Sequence, residues 1–311
     1  MPRIVFMGTP AFACPILDAL LARPDPIVGV VCQPDRPRGR GLGVSAPAVK
    51  ALAAEHGLPV LQPERVRDAA FLDALRGLAP DLIVVAAYGR ILPRAVLDLP
   101  PRGCINVHAS LLPRHRGAAP VTWTILAGDT TTGVTIMAMN EEMDAGDILL
   151  QRETRVRPDD TGGTLLDRLA RLGADAIGEA IDGLEAGTLR PIPQPATGVT
   201  FAPRIEREHG RIDWSRPAVE LERQVRALAP TPSAFTTLGG HLLKVHRAEV
   251  GPARAVDPGR VVTTGPGGIV VATGSGALRL LEVQLEGRRR LSAAEFLAGR
   301  GIAPGTCLGV P

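Results

Sequence analysis

Apolar residues follow two rhythms along this chain. Up to about residue 185, short apolar runs alternate with stretches of helical spacing. Arg3-Ile4-Val5-Phe6-Met7 is closed by Gly8-Thr9-Pro10, and Ile16, Leu17, Leu20 and Leu21 then recur at one-turn intervals. Ile27-Val28-Gly29-Val30-Val31 is a second β-rich run, and Val49 to His56 has the spacing of a helix. Leu82-Ile83-Val84-Val85-Ala86 is apolar without a break, as expected of a central strand buried on both faces. Gly103–His108, Gly133–Met137 and Ile148–Leu150 add three more strands. Leu165, Leu166, Leu169, Leu172, Ile177 and Ile181 then predict one long amphipathic helix, with Thr161 as its cap. Strands alternating with helices predict an α/β, Rossmann-like open sheet with right-handed crossovers.

From residue 190 the rhythm changes. Arg190-Pro191-Ile192-Pro193-Gln194-Pro195 opens a Pro-rich stretch without period, which reads as an extended linker over 190–204. Beyond a helix around Val219–Leu228, the runs Leu242–His246, Gly259–Thr263, Gly268–Thr273 and Ala277–Leu285 are separated by Gly-rich turns such as Gly265-Pro266-Gly267. That spacing predicts a small β-barrel of the OB-like kind. The expected organisation is therefore a catalytic α/β domain over 1–189, the linker, and a C-terminal β-barrel over 205–311.

Composition narrows the class. In 311 residues, 45% are hydrophobic and 22% charged, an ordinary soluble balance, while aromatics reach only 3%. The cores must then be built of Ala, Val, Leu and Ile. Cys14, Cys32, Cys104 and Cys307 form no C-x-x-C pair, so a disulfide framework or zinc site is not expected, and a reducing cytoplasm fits. No apolar run approaches the ~20 residues that cross a bilayer, and Pro10, Pro15 and Asp18 interrupt the only stretch resembling a leader. Net charge is unevenly spread: residues 205–311 hold 14 basic and 10 acidic side chains, against 21 and 22 in residues 1–204. A basic second part suits an anionic partner. The scarcity of aromatics indicates that it would hold nucleic acid by charge and shape rather than by stacking bases.

Ligands of open α/β sheets bind at the carboxyl ends of the strands. Asn106 and His108 stand two apart at the end of one predicted strand, so both point to the same face. An amide and an imidazole are costly to bury unpartnered, so the pair reads either as a satisfied core couple or as a site. Asp144 lies in the polar loop Asn140-Glu141-Glu142-Met143-Asp144-Ala145-Gly146-Asp147, where a turn residue would serve as well. Cys104 shares the strand and reads as a small buried hydrophobe. Pro34–Pro47 is a loop of about 14 residues carrying Arg36, Arg38 and Arg40, long enough to expect a function. Gly39-x-Gly41-x-Gly43 does not match the dinucleotide fingerprint, which argues against a nicotinamide dehydrogenase.

Several of these segments carry a resemblance. Asn106-Val107-His108-Ala109-Ser110-Leu111-Leu112-Pro113, Arg116-Gly117-Ala118-Ala119-Pro120 and Asp144-Ala145-Gly146-Asp147 resemble the formyltransferase family that uses 10-formyltetrahydrofolate. Met7-Gly8-Thr9-Pro10-Ala11-Phe12, Gln33–Gly41, Ala87–Pro93 and Arg211-Ile212-Asp213-Trp214 extend the likeness over essentially the whole chain, toward members acting on methionyl initiator tRNA. The resemblance implies Asn106, His108 and Asp144 as the catalytic set. It implies folate contacts at Ser110, Leu111, Leu112, Pro113, Tyr88 and Ile91. Arg36, Arg38 and Arg40 would enter the tRNA acceptor stem, and Phe12 would meet the methionyl side chain, although ordinary core packing explains Phe12 as well. Many members carry lysines where this chain has Leu42-Gly43-Val44. Arg288-Arg289-Arg290 reads as a solvated turn or as a phosphate contact.

The chemistry expected of such a set stands without the likeness. Formyl transfer from an N10-amide to an amine passes through a tetrahedral oxyanion, which an amide donor and a protonated imidazole stabilise. A carboxylate beside the ring favours its protonated form, and can relay the proton the amine loses. No nucleophilic side chain and no metal is called for. A sugar-nucleotide amine formyltransferase shares this pattern, and a non-catalytic RNA-binding protein on the same scaffold would not need it. A cytoplasmic, monomeric enzyme is the expectation.

Overall fold

The apolar runs of the first half become the strands of one sheet. The computed structural model describes residues 1–38, 43–252 and 256–309. Its first elements are β1 (Ile4–Gly8), α1 (Cys14–Leu21), β2 (Ile27–Val31), β3 (Arg36–Arg38), β4 (Gly43–Ser45), α2 (Ala48–Glu55) and β5 (Val60–Leu61). There follow α3 (Ala69–Gly77), β6 (Leu82–Ala86), α4 (Arg94–Leu97), β7 (Cys104–His108), α5 (Pro120–Ala127), β8 (Thr131–Ala138), β9 (Ile148–Arg155) and α6 (Gly162–Glu185). The seven-stranded sheet runs β5-β2-β1-β6-β7-β8-β9. From β5 to β7 the strands are parallel, and β8 and β9 close the edge antiparallel.

Every residue of β1, β6 and β7 is buried, because helices cover both faces of the parallel part. Val5, Met7, Ile83, Val85 and Cys104 pack on one side with Phe71, Leu75, Val96 and Leu97 from α3 and α4. Strand order reverses between β1 and β6: the chain builds outward to β5 first, then returns to start β6 beside β1. The crevice at that reversal is where an open sheet offers a binding site.

Two expectations meet a different outcome. Leu166, counted in the apolar stripe of the long helix, is 37% exposed, because Leu165 next to it takes the buried position at 100° per residue. The stretch 34–47 is not structureless at its stem. Arg36 pairs with Ser45, Pro37 with Val44 and Arg38 with Gly43, an antiparallel pairing so local that closing it costs little chain entropy.

The chain divides into two units, one of Met1–Pro120, Thr131–Arg155 and Leu166–Pro203, the other of Val121–Thr130, Val156–Leu165 and Arg204–Pro311. The Pro-rich stretch runs extended along the first unit, with bridges from Ile192 to Ile148 and from Phe201 to Arg116.

The second unit contains α7 (Ala218–Ala227), β10 (Ala234–Leu238), β11 (His241–Gly251), β12 (Val261–Gly265), β13 (Gly268–Ala272), β14 (Ala277–Leu285), β15 (Leu291–Ser292) and α8 (Ala293–Gly299). Its strands form an antiparallel sheet in the order β10-β11-β14-β13-β12, with β15 on β14. The long β11 pairs with β10 along one edge and with β14 along the other, where the register shifts on either side of Arg247. Trp214 and Phe296 are the aromatic members of a core that is otherwise aliphatic, and the indole N–H donates to Thr236 Oγ1 at 3.1 Å.

Candidate active site

β7 delivers three side chains to one face of the sheet, at increasing distance along the strand. Cys104 is the innermost. Its Sγ faces the carbonyls of Val96 and Leu97 at 3.7 and 3.8 Å, and burial pushes the thiol up to about 12, so it stays protonated and unreactive at neutral pH. Asn106 comes next, opposite Val85 on β6 and Met137 on β8, and only 8% exposed. Among the described residues no group hydrogen-bonds its side-chain amide. A buried amide without a partner costs free energy that a ligand in the site recovers.

His108 ends the strand, 6% exposed. Its Nε2 lies 3.0 Å from the carbonyl oxygen of His115. A carbonyl only accepts, so Nε2 is the donor of this contact and Nδ1 is the ring nitrogen left to face the site. Nδ1 faces Asp144 Oδ1 at 3.7 Å, too long for a direct hydrogen bond but within ion-pair reach when the ring is charged.

Two hydrogen bonds hold Asp144 in an unusual backbone conformation. Its Oδ2 accepts the Gly117 N–H at 2.9 Å, its backbone is left-handed with φ +51°, and its carbonyl accepts from Gln194 Nε2 at 2.9 Å. Two glycines make room for it. A Cβ on Gly146 would lie 1.8 Å from the carbonyl oxygen of Ala138, and one on Gly117, at φ +127°, would lie 2.7 Å from that of Ala202.

The segment after β7 is fastened to β8 and β9. Ser110 is wholly buried with its hydroxyl donating to Arg114 O, and its own carbonyl accepts from Thr135 Oγ1 at 2.7 Å. Thr135 Oγ1 also receives the Leu112 N–H, while Gln151 Nε2 donates to Leu112 O and to that same hydroxyl. Leu112 is buried, and Leu111 and Pro113 remain partly open to solvent.

The other expected positions separate by depth. Tyr88 is 1% exposed, with its hydroxyl unpartnered among the described residues and raised by burial to about 12, whereas Ile91 is 70% exposed. Tyr88 therefore presents its backbone, and its carbonyl accepts from Thr9 Oγ1 and Gln33 Nε2. Phe12 is buried in a 3-10 turn, Ala11–Ala13, after β1. Arg36 is exposed on β3, Arg38 ends that strand, and Arg40 lies outside the described residues. The base of the arginine segment is clamped: Asp35 receives Gln62 Nε2 at 2.8 Å and Lys50 Nζ at 2.7 Å, which together hold its carboxyl below the ordinary range. Among the described residues no group of three His, Cys, Asp or Glu could hold a metal ion.

Comparison with known proteins decides the family. A formyl transferase model matches residues 2–181, and a formyl transferase C-terminal domain model matches residues 204–301. A protein of Myxococcus xanthus (strain DK1622) named methionyl-tRNA formyltransferase is 52% identical, over 98% of this chain and 97% of its own length. The chain belongs to the methionyl-tRNA formyltransferase family. Solved structures at much lower identity share the fold. HypX from Aquifex aeolicus in complex with tetrahydrofolic acid superposes with a TM-score of 0.63 at 20% identity, over 97% of this chain, which spans 48% of that protein. WlaRD, described as a sugar 3N-formyl transferase, gives 0.67 at 15% identity, over 93% of this chain and 99% of its own.

Membership of this formyltransferase family accounts for a polar site without an activated nucleophile, since in formyl transfer the acceptor amine itself attacks. Five positions that hold the site escaped the reading of the sequence: His115, Thr135, Gln151, Gln194 and Thr200. His115 and Gln151 stand in polar runs and Thr135 in a predicted strand, settings that point to surface or core duty rather than to the site. Only the flanking prolines at 193 and 195 mark Gln194, as a residue on a stiff, extended backbone.

Proposed function

We propose that the chain transfers the formyl group of 10-formyltetrahydrofolate to the α-amine of methionyl initiator tRNA. The observation that carries this reading is the face of β7: a buried Asn106 amide with no hydrogen-bond partner among the described residues, beside His108, whose Nδ1 lies 3.7 Å from Asp144 Oδ1. The amine nitrogen attacks the formyl carbon, and the carbonyl oxygen takes up the negative charge. Asn106 donates to that oxygen, and protonated His108 adds its charge. The bond to N10 then breaks, and N10 receives the proton that the amine gives up, with Asp144 as the carrier.

The donor's pterin ring and the linking segment would lie against Leu111, Pro113 and Ile91. Ser110 and Leu112 hold that bed from within, and the Tyr88 backbone closes it. Phe12 shapes the pocket for the methionyl side chain. Arg36, Arg38 and Arg40 reach the acceptor stem, where guanidinium groups contact phosphates and unpaired bases. Residues 1–189 form the catalytic domain, and the basic, OB-like region 205–311 adds tRNA affinity through phosphate contacts. The enzyme works as a cytoplasmic monomer without a metal. Against a sugar-nucleotide acceptor stands the 52% identity to a tRNA enzyme, beside 15% to the sugar transferase.

Incubation with labelled 10-formyltetrahydrofolate and charged initiator or elongator methionyl-tRNA tests the proposal. Label on the initiator's methionine alone is the expected result. Label on neither tRNA, or transfer to a nucleotide-linked amino sugar instead, would overturn it.

A further inference from the structure

The Pro-rich stretch between the two family-model matches does more than join them. Within the first unit it meets both halves of the catalytic pair. At one end, the side-chain amide of Gln194 uses both of its N–H groups on the Asp144 loop, donating to Asp144 O at 2.9 Å and Gly146 O at 2.7 Å. Its oxygen accepts from Arg116 Nε at 3.0 Å and Nη2 at 2.7 Å, so donors and acceptor are all engaged. At the other end, Thr200 Oγ1 accepts the His115 N–H at 2.8 Å, and it is the His115 carbonyl that takes the proton of His108 Nε2. Backbone hydrogen bonds fasten the stretch throughout, between Ile192 and Ile148, from Arg116 to Thr200 O, from Ala202 to Arg116 O and from Ala119 to Ala202 O.

We infer that residues 192–202 are a positioning strap for the active site, with Gln194 setting the Asp144 loop and Thr200 setting the His108 ring through His115. The inference rests on the reading that Asp144 and His108 are catalytic. The chemistry explains why an amide stands at 194. Asp144 holds a left-handed backbone in which its carbonyl is turned out of any strand or helix ladder, so a side-chain donor must satisfy it. A single Gln can do this and still offer an acceptor to Arg116, which is tied to Gly117, the residue whose N–H holds the Asp144 carboxylate. Glutamate would keep the Arg116 pairing and lose both donors. At 200 the threonine hydroxyl accepts from the His115 amide, which a valine of the same shape cannot do. His115 itself has a left-handed backbone, at φ +59°, and its carbonyl leaves His108 a single neutral tautomer.

Neither residue touches the reacting atoms, so the expected signature is a loss in turnover rather than in substrate affinity. Gln194→Glu and Thr200→Val should each lower kcat about tenfold or more with both KM values within about threefold, since ångström-scale misplacement of a catalytic group costs on that order. Thr200→Ser, which keeps the hydroxyl, should retain kcat within about twofold. ¹⁵N spectra of histidine-labelled full-length protein give a readout apart from turnover. The His108 ring should show the Nε2–H tautomer in the wild type and in Thr200→Ser, and a mixture of tautomers in Thr200→Val. Wild-type kcat in either Gln194→Glu or Thr200→Val, an equal loss in Thr200→Ser, or an effect confined to KM would overturn the strap. Asp144→Ala, assayed in parallel, separates the two levels. Turnover retained there removes the catalytic reading itself, whereas turnover lost there but kept in Gln194→Glu removes only the strap.

Discussion

At the scale of single residues the site is defined by what each polar atom has left to do. His108 Nε2 is committed to a carbonyl, one Asp144 oxygen to the Gly117 amide, and the Asn106 amide to no protein group among those described. The free capacity is thus an amide donor, the second ring nitrogen and one carboxylate oxygen, the groups an oxyanion and a travelling proton require. Replacing Asn106 or Asp144 by Ala should lower kcat by about 100-fold or more, the usual cost of losing an oxyanion donor or an acid–base group, while tRNA affinity stays within about threefold. Single-turnover kinetics and filter binding measure the two separately, and substantial turnover in both variants would remove their catalytic assignment. The types and spacing of these three residues were legible in the sequence. Their freedom from structural duty was not, because a strand pattern shows which face a side chain takes but not what it meets there.

Among the elements, the arginine hairpin differs most from its sequence. The run of Arg, Gly and Pro shows no alternation, yet β3 and β4 pair over three residues each. The base below them is locked by Asp35 between Gln62 and Lys50, one of only two lysines in the chain. Gln33, at the same base, donates from its backbone to Thr9 Oγ1 and from its side chain to Tyr88 O, which ties the hairpin to the turns after β1 and β6. A fixed base with arginines beyond it suits a segment that meets a large anionic ligand in one orientation. Arg40→Ala should raise KM for charged tRNA on the order of tenfold, by loss of a phosphate or base contact, with KM for the folate donor unchanged within error. Steady-state titration of each substrate checks this, and equal losses for both would contradict the assignment. The helices α3 and α4 were also missed. Phe71 and Leu75 do stand one turn apart, but nine and four residues give too short a period to stand out.

Across the whole molecule, low aromatic content is met by dense aliphatic packing, and several ionisable groups are shut inside the first unit. Burial raises Cys32 from its ordinary 9.0 to about 11, Cys104 from 9.0 to about 12 and the Tyr88 hydroxyl from 10.0 to about 12. In all three the fold holds the neutral, protonated form. As pH rises above the unfolded values, the unfolded chain releases these protons while the native chain keeps them. The unfolded state then binds fewer protons, and stability must fall with rising pH until the native values are reached. The urea midpoint should therefore be lower at about pH 10.5 than at about pH 8, and the drop should be smaller in Cys104→Ala. A midpoint that stays level or rises between those two conditions would show that these groups ionise in the native protein as freely as in water.

The pattern of apolar runs was enough to determine the α/β sheet and the change of rhythm after residue 190, because periodicity is a local property of a chain, whereas the residues at 106, 108 and 144 were joined into one set only by the family resemblance. Which strands would run antiparallel at the far edge, and which residues would support the trio, were decided only in three dimensions. Gln194 reaches Asp144 across 50 positions, and Thr200 reaches His115 across 85. Such hydrogen bonds form because buried backbone groups must find partners wherever the fold brings one. A stretch that reads along the chain as a plain linker thereby becomes part of the site's support.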